Sequence, residues 1–198
     1  MSPKAKLVKQ ISATGFTEAI DLMACLAVLR EGTSLVVPLA LEAANAALAA
    51  TLVQKALLQR VLMTVERAFA PVKYNSDRHA RVAFIHLSDQ NVFDEVANAG
   101  SRKHLQQACN TWRNFDADPR RERLKHYRDK VVAHTSVRKL PVPLVSELTS
   151  YAMSTADVLA RLARGTGVVE LQLKVQTAAY DASAKAFWSV WRDRMKSR

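Results

Sequence analysis

Residues 120–139 read RRERLKHYRDKVVAHTSVRK, and within them five residues separate Arg128 from His134, with Asp129 directly following the arginine. These side chains suit a site that grips and cuts a phosphodiester. An arginine offers a fixed cationic fork to phosphoryl oxygens as charge builds on them. A histidine has an unperturbed pKa of about 6.5 and is poised for proton transfer near neutrality. Asp129 could orient either the arginine or the histidine. The plain alternatives are a solvated cationic face and, for His134, a cation complementing a helix C-terminus.

The surrounding composition favours an anionic partner. The chain has 198 residues, with 29 Lys and Arg against 18 Asp and Glu, a formal net charge of +11. Such an excess attracts polyanions, and nucleic acid ranks ahead of an anionic membrane surface. Arg120, Arg121, Arg123, Lys125, Lys130, Arg138 and Lys139 flank the candidate residues as a possible RNA-tracking surface. Cys25 and Cys109 are the only cysteines and fit no CxxC or metal-spaced pattern, so no disulfide framework, zinc site or other cofactor is expected. A reducing, cytoplasmic location follows as the simpler expectation. His79 and His104 stand without a second ligand at metal spacing, His86 in FIHLSD reads as structural, and His126 as solvent-exposed.

The elements that must hold these residues are helical. Apolar periodicity near that of an α-helix dominates, and no alternating strand run appears. Expected helices cover residues 17–30, stopping at Gly32, and 34–69, with Pro38 near the start and Pro71 past the end. A short one follows at 80–87, then one opened by SDQ and closed at Gly100, then one that Ser101 can cap. Asp118-Pro119 is the clearest start signal, and its helix must stop before Pro141. Two more cover about 144–164 and 170–194. The sum is an all-α bundle of six to eight helices in a single domain spanning residues 1–198. The apolar window SLVVPLALEAANAALAATLV is broken by Pro38, Glu42 and Asn45, and reads as a buried bundle helix with no membrane role. The N-terminus lacks the apolar run of a secretory signal. Trp188 and Trp191 could stack bases, but their helical spacing favours packing.

On a straight helix, Leu124, Tyr127 and Val131 share one stripe that must face a core or a partner. Arg128 and His134 flank it about 120° apart in azimuth and about 9 Å apart along the axis. One helix alone brings them together poorly. Two such helices paired across a two-fold axis would gather both margins of both copies into one cleft.

YRDKVVAH resembles the signature of the HEPN superfamily, an arginine usually followed by Asn, Asp or His, then a short spacer and a histidine. Arg128, Asp129 and His134 match those positions. Late in an all-helical chain of this length, the phrasing is similar to the abortive-infection (phage-defence) branch. The resemblance implies a HEPN-like bundle and a metal-independent endoribonuclease. It also implies a homodimer formed through the motif-bearing helix, with RNA cut in a two-chain cleft. The biological setting would be phage defence or a toxin held by an antitoxin protein. RNA supplies its own nucleophile, the 2′-hydroxyl, so a 2′,3′-cyclic phosphate and a 5′-hydroxyl are the expected products. Ser136 stands where one HEPN subgroup carries a tyrosine, so control by tyrosine modification does not carry over. The alternatives are a non-catalytic helical module that binds RNA or a nucleotide on the same face, and a helical scaffold for protein partners.

Overall fold

A computed structural model describes residues 1–34, 36–74, 77–98, 100–129, 145–170 and 172–196, with side chains to residue 193. Among them are nine helices and no strand: α1 (Pro3–Gly32), α2 (Val36–Ala43), α3 (Ala47–Ala68), α4 (Ala80–Leu87), α5 (Gln90–Ala97), α6 (Arg102–Asp116), α7 (Arg120–Tyr127), α8 (Val145–Gly165) and α9 (Leu173–Lys196). The expected all-α bundle is present. One buried cluster draws on α1 and on α3 through α8.

α1 runs through the bundle, packed on α8 and α9 and flanked by α3 and α4. It begins well before the expected residue 17. Ser2 sits at its N-cap and accepts the Ala5 amide on Oγ, and Pro3 opens the first turn, where no amide donor is needed. Small residues along the stripe let α8 approach closely. A Cβ on Gly15 would already touch the Leu159 side chain at 3.3 Å.

The expected helix over 34–69 is two helices. Asn45 takes a left-handed φ of 53°, and Ala46 donates to the Leu41 carbonyl while Asn45 donates to that of Glu42. That pair of bonds is a Schellman closure, which asparagine tolerates. The break also overturns the expectation of a buried helix for the apolar window. Val37, Ala40 and Leu41 are buried, but Leu39, Leu48 and Leu52 face outward, Leu48 at 77 % exposure. The start of α3 leans on its neighbours through Ala47 and Ala50, with Gln54 donating to the Gly32 carbonyl at 3.1 Å, and leaves Leu48 and Leu52 uncovered. By length and composition alone α1 and α3 could each cross a membrane, and α3's apolar window is only 17 % buried here.

α9 covers α1 and α2. The Trp188 indole donates to the Val28 carbonyl at 3.0 Å, and its ring fills the space a Cβ on Gly32 would need. Trp191 packs on the same cluster. Packing is therefore the role of both tryptophans.

α6 and α8 meet backbone to backbone. The Ser101 amide donates to the Gly165 carbonyl at 3.1 Å; Ser101 holds the N-cap of α6 without a side-chain capping bond. A Cβ on Gly165 would lie 2.6 Å from the Leu105 nitrogen, too close for any rotamer to relieve. Gly165→Ala should therefore lower stability by about 1–3 kcal/mol, read as a fall in the thermal midpoint. An unchanged midpoint would mean that the two helices do not touch in this way.

Candidate functional site

α7 carries the first candidate residues, and it has only eight residues, too few to be stable alone. Tertiary contacts hold it. Asp118 accepts the Arg120 amide at 2.8 Å and pairs with the Arg120 guanidinium, which also lies over the Tyr151 ring. Arg121 donates to the Phe69 carbonyl at 2.7 Å and pairs with Asp116 at 2.8 Å. Arg81 reaches the same carbonyl and the same carboxylate. Two cations thus close the C-terminus of α3, where unsatisfied carbonyls favour them. Arg123 reaches Glu147 of α8 at 2.8 Å. Leu124 is buried, and Tyr127 packs on the core beside it.

The cation run is therefore largely structural where it is described. Arg120, Arg121 and Arg123 each bind α7 to itself or to a neighbour, while Arg120 and Arg123 stay partly exposed. Lys130, Arg138 and Lys139 lie outside the described residues, as do Val131 and His134. His126 is half-buried, so the expected full exposure is not met. Burial holds His79, His86 and His104 below the ordinary histidine pKa and favours their neutral forms. Among the described residues no three His, Cys, Asp or Glu gather at metal-ligand spacing.

After Tyr127 the helix opens into a wider π-type turn at Arg128 and Asp129, a distortion that recurs at functional sites. The turn sets Asp129 against the arginine. Arg128 Nε donates to Asp129 Oδ1 at 2.7 Å, and Nη2 is 2.5 Å from the same oxygen. Among the described residues Asp129 thus contacts the arginine; its relation to His134 lies outside them. On the other side, Arg128 Nη1 lies 3.5 Å from Glu66 Oε2.

Glu66 was not among the sequence candidates. Among the described residues it is the only buried carboxylate or basic side chain, 4 % exposed, and its Oε1 has no hydrogen-bond partner among them. Burial raises its pKa from 4.5 to about 7 even though Arg128 and Arg121 pull it down. A signal was present: Glu66 is the only acid in α3, and it stands on the stripe of Val61, Leu62 and Val65 that the core buries.

Arg128 also lines an open groove of about 650 Å³ between α1 and α3, with Glu18, Asp21, Arg60, Thr64 and Arg67. Arg60 pairs with Asp21 at 2.6 Å and Arg67 with Glu18 at 2.5 Å. Both of these arginines are well exposed, so the pairs are screened by water. The arrangement puts three guanidinium groups along one groove, with the half-buried Arg128 held most firmly.

The raised pKa of Glu66 has a signed consequence for stability. The unfolded chain releases this proton near 4.5 and the folded one near 7, so the stabilising effect is complete below the lower value and is lost as pH rises to the upper. Wild type should lose up to about 3 kcal/mol from this group across that window. Glu66→Gln should remove the loss, which denaturant titrations at the two ends of the window would read. The same pH dependence in both proteins would show that Glu66 is not buried as a carboxylate.

The family model described as AbiU2, a HEPN family, matches residues 4–166. The match takes in α1 through α8 and ends ahead of α9, so it includes Arg128, Asp129, His134 and Glu66. No curated protein and no solved structure matches the chain. An all-α bundle, a late helix bearing the Arg-Asp pair and a match over most of the length agree, and the chain belongs to the AbiU2 family of abortive-infection HEPN proteins.

Proposed function

We propose that this protein is a metal-independent endoribonuclease of the HEPN type, acting in phage defence or as the toxin of a toxin-antitoxin pair. The observation that carries the reading is Arg128. It is a half-buried guanidinium on a π-type turn, braced by Asp129 and Glu66, at the edge of an open groove. A cation fixed before the substrate arrives stabilises developing phosphoryl charge without reorganisation. The family's motif supplies His134 as the proton-transfer group. In this reading the 2′-hydroxyl of RNA attacks the adjacent phosphorus, His134 of one or both copies moves protons, and Arg128 faces the charged phosphoryl oxygens.

The site works as a homodimer, because the Arg-His spacing calls for a cleft shared between two motif-bearing helices. RNA is the substrate, the cytoplasm is the compartment, and an antitoxin protein is the regulatory partner.

The test is purified protein with RNA in EDTA, beside Arg128→Ala and His134→Ala. The reading predicts cleavage to 2′,3′-cyclic phosphate ends, slowed by about 100-fold or more in each variant. RNA binding without cutting in the wild type would favour the non-catalytic RNA-binding module. Cutting that survives both substitutions would place the chemistry elsewhere.

A further inference from the structure

We propose that Glu66 is the positioning residue of this site: beneath α7 it holds one terminal nitrogen of Arg128 while Asp129 holds the opposite edge, so that the guanidinium turns its remaining N–H groups toward an RNA phosphate in the α1–α3 groove. This rests on the RNA reading above and adds a residue outside the Arg-Asp-His motif.

Packing alone does not call for an acid at this position. The neighbours on its stripe are Val61, Leu62, Val65 and Ala68, all buried and apolar. A buried ion pair stabilises a fold no better than a well-packed apolar side chain does. Nor is the pair closed among the described residues: Oε1 has no partner there, and the 3.5 Å approach to Arg128 is an ion pair at the long end of hydrogen-bond distance. A buried carboxylate that is desolvated, incompletely paired and set under a groove-lining arginine has a functional explanation and lacks a structural one.

The guanidinium geometry agrees. Asp129 takes the edge formed by Nε and Nη2, and Glu66 faces Nη1. After those contacts each terminal nitrogen still has an N–H to offer, the fork that suits two phosphate oxygens. Held on both flanks, the plane of that fork is set before an anion arrives.

The same geometry couples phosphate binding to a proton. Among the described residues, the groups facing Glu66 are Arg121, Lys125, Arg128 and Asp129 on α7 and the turn after it, and Tyr151 on α8. A phosphate at Arg128 competes with the charge of the Glu66 carboxylate for one guanidinium, so it favours the neutral acid, whose carbonyl oxygen still accepts from Nη1 and keeps the guanidinium placed. RNA binding therefore takes up a proton once the pH exceeds about 7, where the free protein's Glu66 is ionised. Affinity should fall as pH rises, and an amide at this position, which mimics the neutral acid, should abolish the fall.

The experiment uses full-length protein carrying His134→Ala, which removes that histidine's titration and prevents cutting, with a fluorescent single-stranded RNA. Anisotropy is read between about pH 6 and about pH 8.5, with Glu66 intact and as Glu66→Gln. The expected result is an affinity loss of about tenfold across the range with Glu66 and within about twofold with the amide. Glu66→Asp, which keeps the charge but shortens the reach, should slow cleavage in the His134 protein while melting normally. Equal pH dependence with glutamate and with glutamine overturns the proposal. Wild-type cleavage in EDTA separates the two ideas. Cutting without the Glu66-dependent pH effect removes only the positioning role, and the pH effect without cutting removes only the nuclease. No RNA binding at any pH overturns both.

Discussion

A carboxylate taken out of water between two helices must find a cation or give up its charge. Glu66 does part of each: its pKa is raised to about 7, and it lies 3.5 Å from Arg128. The contact spans α3 and α7, and it exists because α7 is held in place by other means. Arg121 and Arg81 both donate to the Phe69 carbonyl at the end of α3 and share Asp116 between them. Beneath them Phe69 stacks on Trp112 and Phe115, which fixes the height of that carbonyl. A short helix that could not persist alone is thereby locked over the one buried acid of α3.

Among the described residues, the arginines of α7 are spent on holding that helix in place. Arg120, Arg121 and Arg123 are used within the protein, and only past Tyr127, where the helix widens, does a guanidinium reach the groove. The neighbouring arginines of α3 meet acids of α1 in pairs of unequal exposure: Asp21 is open to water, whereas Glu18 is largely buried and its pKa is raised by that burial.

Much of the fold was legible because its signals are local. Pro71 and Gly100 mark ends, Asp89 caps α5 by accepting the Asn91 amide, and Asp118-Pro119 opens α7 as expected. Ser2-Pro3 carries the same kind of signal, and the extent of α1 follows from it. The break at Asn45 is harder to read, because alanines surround it and the left-handed turn leaves no proline or glycine behind. Arg128 and Asp129 were legible through the motif, but their mutual contact is one that a helical wheel, which shows only directions, omits. Glu66 was illegible for a different reason. An acid on an apolar stripe acquires meaning only from the cation that packs on it, and that cation lies 62 positions away. The exposed leucines of α3 misled in the opposite sense, since apolar composition alone does not say which neighbours are near enough to cover it.

The most direct test of the Glu66–Arg128 contact is a double-mutant cycle on stability at pH 8, combining Glu66→Gln with Arg128→Gln. Removing the arginine leaves an unpaired buried carboxylate, whereas removing both leaves none, so the two changes should be coupled by about 1 kcal/mol or more. Additive effects within about 0.3 kcal/mol would contradict the contact on which the site has been built.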